Sequence, residues 1–162
     1  MSTDVVAVVE IPKGSRNKYE MDAATGRIFL DRMLFTATRY PADYGFVEGT
    51  AAEDGDPLDV LILVGEPTFP GCRIEVRPIG VFLMEDSGLR DHKVISVPAG
   101  DPRWADIVDI EDLDVHLRRE LEHFFEVYKA LEDKKTAALG WQGVAEARDI
   151  IDAAREAFRE AE

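Results

Sequence analysis

The sequence predicts an α+β protein in which a closed or strongly curved β-sheet is covered by one or two helices. Strand-like segments fill the chain up to residue 97, and segments with helical periodicity follow them. Runs of strands followed by runs of helices indicate α+β rather than alternating α/β architecture. The chain has 162 residues, of which 46% are hydrophobic, and this suits one globular domain spanning 1–162.

Three short strands are predicted near the N-terminus. Val5–Ile11 is β-branched and apolar, and a second strand contains Lys18 and Glu20 on one side after a polar turn. Residues 24–26 have the composition of a hairpin turn, and the strand that follows is expected to end before Asp31. We expect residues 38–46 to form a tyrosine-rich loop, because proline and glycine punctuate them.

Three further strands are predicted in the middle of the chain. Residues 60–64 form a continuous apolar run, which is typical of a strand buried on both faces. Residues 73–84 predict a long strand broken near Pro78 and Gly80, and residues 94–97 predict another. Three acids, Asp54, Asp56 and Asp59, precede the first of these strands and therefore lie at the mouth of a buried strand, where pockets commonly form.

Two amphipathic helices complete the prediction. The first begins after an expected N-cap at Asp112 and carries its apolar stripe on Leu113, Leu117, Leu121, Phe124, Phe125 and Tyr128. The second spans roughly residues 144–158 and presents Val144, Ala147, Ile151, Ala154 and Phe158 on one face. Both stripes indicate packing against the sheet.

The charge of the chain excludes several classes of partner. A net charge of −14 disfavours nucleic acid and anionic membrane surfaces, because both require a basic face. Cys72 is the single cysteine, so no internal disulfide forms, which fits a reducing compartment. We find neither a leader-like opening nor an apolar run of about 20 residues, the length that spans a bilayer. The sequence therefore predicts a soluble cytoplasmic protein.

Asp54, Asp56 and Asp59 form an acidic run with a glycine and a proline between them. Two carboxylates about 5 Å apart cost roughly 3 kcal/mol at an effective dielectric of about 20, so such clusters usually bind a cation. Oxygen ligands suit Mg²⁺, Mn²⁺ or Ca²⁺. An ordinary Asp-Gly and Asp-Pro turn is the alternative. An EF-hand is excluded, because Leu58 and Gly65 stand where that loop needs acids.

Further charged residues could join this site, although surface ion pairs are the commoner cause of such patterns. Lys18 and Glu20 are two residues apart in the second strand, and Asp91 and Lys93 have the same spacing. This spacing places each acid on the same side of a strand as its base. Lys129 at the end of the first helix either complements the helix dipole or reaches a bound anion. Acids suit metals, whereas lysine, arginine and tyrosine suit phosphate oxygens.

These residues resemble the soluble, family I inorganic pyrophosphatases of the bacterial type. The run from residue 54 to residue 60 matches the family signature at every position. Other motifs follow the family's order and spacing over nearly the whole chain: Glu10-Ile11-Pro12, Lys18-Tyr19-Glu20, Asp31-Arg32, Tyr40-Pro41, Asp43-Tyr44-Gly45, Arg77-Pro78-Ile79-Gly80, Asp91 with Lys93, and His123-Phe124-Phe125 with Tyr128-Lys129.

The resemblance implies a fold and an activity. The expected fold is a five-stranded OB-like β-barrel with two C-terminal helices packed against it. The expected reaction is hydrolysis of pyrophosphate to two orthophosphates by a metal-activated water, with Mg²⁺ as cofactor and Mn²⁺ or a similar ion as a substitute. The family also suggests a homohexamer.

The resemblance also assigns roles to individual residues. Asp56 is the expected catalytic residue, which orients or deprotonates the attacking water. The expected metal ligands and outer acids are Asp54, Asp59, Asp86, Asp91, Glu10 and Glu20, with Asp59 bridging two metals. The expected phosphate-binding residues are Lys18, Arg32, Tyr44, Lys93, Tyr128 and Lys129, with Tyr40 in support.

Two positions depart from the family pattern, and one alternative function remains open. Ser87 stands where many bacterial members have glutamate, and Val127 replaces a frequent helix histidine, so metal and subunit contacts there are in doubt. His92 receives no role. A non-catalytic protein that only binds divalent cations is the alternative, although it would need neither Arg32 nor Lys129 at family spacing.

Overall fold

The fold is a mostly β structure, which a computed structural model describes for residues 5–162. Its strands are β1 (Val5–Ile11), β2 (Asn17–Met21), β3 (Ile28–Met33), β4 (Asp43–Val47), β5 (Asp59–Ile62), β6 (Arg73–Asp86), β7 (Leu89–Arg90), β8 (Lys93–Pro98) and β9 (Thr136–Gly143). Its helices are α1 (Val115–Val127) and α2 (Val144–Glu160), with short 3-10 turns at Pro102–Trp104 and Ile110–Asp112.

Five of the strands close into a ring in the order β1-β4-β5-β8-β6, and β6 pairs back to β1. Neighbouring strands in the ring are antiparallel except for the parallel pair β5 and β8. Strands β7 and β9 extend β6 outside the ring, and β2 with β3 forms a separate two-stranded sheet. The predicted closed barrel of five strands with two helices is confirmed.

Side chains on opposite faces of β5 enter two different apolar clusters. Leu61 belongs to a cluster that includes Phe125 of α1, whereas Val60 and Ile62 belong to a cluster that includes Ile151 of α2. Each helix therefore covers a different part of the sheet. The alternation follows from the two-residue period of a strand.

The predicted loop over residues 38–46 is only partly correct, because its second half is strand β4. Proline and glycine are poor strand residues by propensity, but Gly45 is required where β4 pairs with β1 opposite Val9. A Cβ atom at this position would lie 1.8 Å from the carbonyl oxygen of Val8. The glycine therefore allows two strands to approach closely rather than ending a strand.

We expect the substitution Gly45→Ala to destabilise the protein by about 3 kcal/mol, at the upper end of ordinary overpacking costs, because the added methyl group meets rigid backbone. The free energy of unfolding in urea measures this loss. Gly65→Ala is the matched control, since a Cβ atom there meets nothing within 4 Å. Equal stability of the two variants would contradict the close approach of β1 and β4.

Other boundaries differ from the prediction for identifiable reasons. Strand β3 continues through Asp31 and Arg32, which were expected to lie beyond its end. Helix α1 is capped by Asp114, whose side chain accepts a hydrogen bond from the N–H of Leu117, so the predicted N-cap at Asp112 is wrong. Asp112 instead ends a 3-10 turn, in which it closes a capping box with Asp109.

The sheet also contains a strand that was not predicted. Strand β9 consists largely of alanine, glycine and polar residues, which carry little strand propensity, and it forms because β6 offers a long partner. The predicted break in β6 is a register shift against β8 between Pro78 and Gly80 rather than an interruption. The strand therefore runs on to Asp86.

Candidate active site

A buried ammonium group lies at the centre of the candidate site. The Nζ atom of Lys93 donates to the hydroxyl of Tyr44 at 2.9 Å, to Oδ2 of Asp59 at 2.7 Å and to Oδ1 of Asp91 at 2.9 Å. The Lys93 side chain is 2% exposed. Asp59 and Lys93 begin β5 and β8 and lie opposite each other in the parallel pairing. The barrel register therefore creates this contact.

The charges in this cluster depend on one another. Burial alone would lower the pKa of Lys93, but Asp59, Tyr44 and Asp91 among its neighbours hold it well above its ordinary value. Burial raises the pKa of Asp59, and the opposing effect of Lys93 does not fully compensate. Burial alone would also raise the pKa of Asp91, but Lys93 and other partners hold that pKa below its usual range. Lys93 therefore remains protonated between two acids.

Aromatic rings form the wall beside Lys93. Tyr40 packs against Tyr44 with ring centroids 5.4 Å apart and against Phe124 at 4.8 Å, and Tyr128 packs against Phe124 at 5.1 Å. All three tyrosines are buried. Burial raises the pKa of Tyr44 well above its ordinary value, so its hydroxyl keeps a proton that it can donate.

A second ion pair lies at the end of β6. The Nζ atom of Lys129 donates to Oδ2 of Asp86 at 2.8 Å, and the hydroxyl of Ser87 donates to Oδ1 of Asp86 at 3.0 Å. Burial opposes the ionised form of Asp86, but Lys129 and Ser87 outweigh it and lower its pKa. Ser87, the departure from the family pattern, thus supports the carboxylate beside it.

The hairpin of β2 and β3 carries a third group of charges. Lys18 Nζ donates to Oε1 of Glu20 at 2.6 Å and to Oδ2 of Asp31 at 3.2 Å. Arg32 also contacts Asp31, and its Nη2 atom donates to Oε1 of Glu132 at 2.7 Å. Burial alone would raise the pKa of Asp31, but Lys18 and Arg32 hold it below its usual value.

The acidic run before β5 is a turn as well as a group of acids. Gly55 has φ of 89°, a left-handed conformation that favours glycine. Oδ1 of Asp54 accepts a hydrogen bond from the N–H of Asp56 at 2.9 Å. Burial, followed by the charges of Asp54 and Glu20, raises the pKa of Asp56. The turn alternative is therefore correct for the backbone of this run.

Carboxylate crowding extends beyond the acidic run. Burial raises the pKa of Glu10 to about 7, against the hydrogen bond that it accepts from the N–H of Met21, and the charges of Asp59 and Glu20 also act upward. A divalent cation would relieve this repulsion, and carboxylate oxygens are ligands that Mg²⁺ prefers. The chemistry of the donor set therefore fits such an ion.

The acids are not arranged as a ready-made ligand set. Across residues 5–162, no three or more His, Cys, Asp and Glu side chains are grouped so that they could hold a metal ion. The ammonium of Lys93 lies where Asp59 and Asp91 meet. Asp54 contacts the backbone of its own turn. The predicted ligands thus make separate contacts: Asp59 and Asp91 with Lys93, Asp86 with Lys129, Glu20 with Lys18, Asp54 with its own turn and Glu10 with the N–H of Met21.

Two acids outside the predicted set form ion pairs with its cationic members. Asp31 pairs with Lys18 and Arg32, and Glu132 pairs with Arg32. Asp31 could have been found from its position beside Arg32, whereas Glu132 lies in a charged run that resembles a solvated surface. Nδ1 of His92 accepts a hydrogen bond from the N–H of Met84 at 3.1 Å, so this ring connects the segment before β8 to β6.

A surface groove of about 460 Å³ lies along α1 and is lined by Thr38, Arg39, Pro41, His116, Arg119, Glu120, His123 and Phe124. None of the predicted site residues lines it. The candidate active site is therefore identified by its polar contacts and not by a deep cavity.

A closed five-stranded barrel that brings ammonium, carboxylate and phenol groups together defines an OB-like protein with a charged, polar site. The chain belongs to the inorganic pyrophosphatase family, because the model of that family matches residues 7–159. An inorganic pyrophosphatase of Leifsonia xyli is 56% identical over 147 residues, which cover 90% of each chain. One from Streptomyces coelicolor is 53% identical over 94% of each chain.

Solved structures show the same similarity. The crystal structure of an inorganic pyrophosphatase from Thermus thermophilus superposes with a TM-score of 0.93 at 46% identity, covering 97% of this chain and 92% of that one. An inorganic pyrophosphatase from Helicobacter pylori gives a TM-score of 0.94 at 38% identity, covering 96% and 94% of the two chains. The resemblance to the family is thereby confirmed over nearly the whole length.

Proposed function

We propose that this protein hydrolyses inorganic pyrophosphate to two orthophosphates with the help of divalent cations. Membership of the inorganic pyrophosphatase family supports the reaction. The observation that carries the proposal is the Lys93 cluster. In it, one buried ammonium, one phenol and two carboxylates meet where β5 and β8 begin. Ammonium and phenol groups suit phosphate oxygens, whereas carboxylates suit metal ions.

The acids near Lys93 are the residues that would hold Mg²⁺, or Mn²⁺ in its place. Asp54, Asp59 and Asp91 are the proposed first ligands, and Asp86 is proposed to hold a further metal that arrives with substrate. Glu10 and Glu20 are proposed to act in the outer part of the site. When bound, divalent cations neutralise phosphate charge and lower the pKa of water. Burial raises the pKa of Glu10, Asp56 and Asp59, and the charges of neighbouring carboxylates act in the same direction. A bound cation would stabilise the ionised forms of these acids, which supports this assignment.

The cationic groups are proposed to bind the phosphates. Lys18 and Arg32 project from the hairpin, Lys129 from the turn after α1, and Lys93 from the barrel. Tyr44 and Tyr128 would donate to phosphate oxygens, and Tyr40 supports Tyr44 by ring packing. Phosphoryl transfer depends chiefly on positioning and electrostatic stabilisation, and these groups can spread the charge of the leaving phosphate.

Asp56 is the proposed catalytic residue. Its side chain lies in the exposed turn before β5, and partial burial, followed by the charges of Asp54 and Glu20, raises its pKa. A raised pKa makes the ionised carboxylate a stronger base, which suits a group that orients or deprotonates water. The hydrogen bond that the N–H of Asp56 donates to Oδ1 of Asp54 fixes the turn.

We expect the purified protein to release phosphate from pyrophosphate when Mg²⁺ is present and to stop when a chelator removes it. Phosphate assays with and without excess chelator measure this dependence, and re-addition of Mg²⁺ is the control. Equal turnover in chelator would contradict the metal mechanism. Binding of cations with no phosphate release would favour the alternative, a non-catalytic cation-binding protein.

The finer features of the protein remain proposals that rest on family resemblance. We propose one functional domain over 1–162, a homohexamer and a cytoplasmic location. Phe29, Leu30, Met33 and Phe35 are each more than half exposed around β3, which supports a subunit contact on that hairpin. Within residues 5–162, no helix combines the length and the apolar character that crossing a membrane demands.

A further inference from the structure

Arg32 is held from two sides by acids of different accessibility. Its Nη1 atom contacts Asp31, whose side chain is 33% exposed, and its Nη2 atom donates to Glu132, whose side chain is 6% exposed. The Asp31 contact therefore faces solvent, whereas the Glu132 contact is shielded from it. An incoming anion can replace the outer partner without disturbing the inner one.

The Glu132 contact also joins two separate parts of the fold. Arg32 lies on the β2–β3 hairpin, which forms its own two-stranded sheet rather than part of the barrel. Glu132 lies in the turn after α1, and its N–H donates to the carbonyl of Lys129 at 3.0 Å. One carboxylate thus fixes the position of Arg32 relative to Lys129, although the hairpin and the turn belong to different elements.

The ion pair of Arg32 and Glu132 leaves some of its hydrogen-bonding groups without partners, unlike an ion pair that serves stability alone. Among the described residues, Nε of Arg32 and Oε2 of Glu132 are buried atoms without a hydrogen-bond partner. Burying charge costs free energy unless the remaining donors and acceptors are satisfied. Such incomplete pairs are expected where function, rather than stability, determines the side-chain position.

We propose that Glu132 is a positioning residue that holds the Arg32 guanidinium so that a phosphate oxygen can replace Asp31 at its exposed edge. This inference rests on the proposed function, in which Arg32 binds phosphate. Glu132 itself does not touch the substrate. The guanidinium is planar and offers two edges, so one acid can fix its orientation while the other edge binds the phosphate.

The test compares Glu132→Gln with Asp133→Asn, which removes the same charge from an exposed neighbour. We expect kcat/KM for pyrophosphate to fall about 10-fold to 100-fold in Glu132→Gln, as for other residues that orient a directly binding group, and to remain unchanged in the control. The midpoint of thermal unfolding shows whether both variants remain folded. Glu132→Asp, which keeps the charge, is expected to recover part of the activity.

A double-mutant cycle with Arg32→Ala separates positioning from general structural support. If Glu132 acts through Arg32, adding Glu132→Gln to Arg32→Ala lowers kcat/KM little further. Additive losses in the double variant, or wild-type kcat/KM in Glu132→Gln alone, would overturn the inference while leaving the proposed function intact.

Inactivity of the wild-type protein with Mg²⁺ would instead overturn the proposed function. The side-chain NMR signal of the Arg32 Nη2–H group, which donates to Glu132, then tests the contact without any activity. We expect this signal to be sharp in the wild-type protein and in Asp133→Asn but broadened in Glu132→Gln. An unchanged signal in Glu132→Gln would overturn the positioning role.

Discussion

Replacing Asp56 with asparagine is expected to lower kcat for pyrophosphate hydrolysis by about 10²-fold to 10⁴-fold, the usual contribution of a positioned general base. Asparagine has nearly the shape of aspartate but accepts no proton near neutral pH. Asp56 is exposed, and its backbone N–H rather than its side chain makes the turn bond to Asp54. The variant should therefore remain folded. Steady-state phosphate release measures the loss.

The control for this experiment is Asp106→Asn, which removes the same charge from an exposed loop outside the proposed site. Circular dichroism and the unfolding midpoint should be the same in both variants and in the wild-type protein. Loss of the native fold in Asp56→Asn would instead assign the residue to the stability of the turn. Wild-type kcat in a folded Asp56→Asn would show that another group handles the water.

The features predicted correctly from the sequence are those with a local signal. Val5–Ile11 is strand β1 with the predicted bounds, because a continuous run of mostly apolar, β-branched residues marks it. The two-residue spacing of Asp91 and Lys93 predicts side chains that point the same way, and they meet at 2.9 Å, although only Lys93 lies in a strand. The strand predicted over residues 60–64 is β5, which begins at Asp59 and ends at Ile62, so the acidic run leads into it as expected.

The features that were missed depend on contacts between distant residues. Arg32 and Glu132 are 100 positions apart and meet only because the hairpin folds over the turn after α1. Gly45 has the composition signal of a strand break, whereas the close approach of β1 and β4 shows that this position requires a residue without a side chain. No pattern within a short window carries such information.

The roles of the individual site residues remain predictions, because side-chain contacts alone do not identify what binds between them. Carboxylate crowding indicates a cation, and the structure shows one cation already in place, the ammonium of Lys93 between Asp59 and Asp91. A buried lysine and a bound metal would thus neutralise the same acids from different sides. The stability of the site should depend strongly on that lysine.

Replacing Lys93 with methionine is expected to destabilise the protein by about 3–5 kcal/mol, because removal of one partner leaves buried charge uncompensated. Methionine has a similar length and fills the space against Tyr44 and Phe125, which the ammonium of Lys93 faces at 5.5 Å and 5.8 Å. The loss of unfolding free energy therefore measures the removal of the charge and not the creation of a cavity. Urea unfolding of the metal-free protein measures it, with the exposed Lys13→Met as control.

The pH dependence of this loss distinguishes charge from packing. Burial already raises the pKa of Asp59, and Lys93 opposes that rise, so the variant should raise this pKa further. A carboxyl whose pKa is higher in the folded than in the unfolded protein binds protons on folding, which favours the folded state as pH falls. The difference in unfolding free energy between variant and wild type should therefore shrink toward acid pH. A constant difference across the pH range would indicate that Lys93 stabilises the barrel through packing alone.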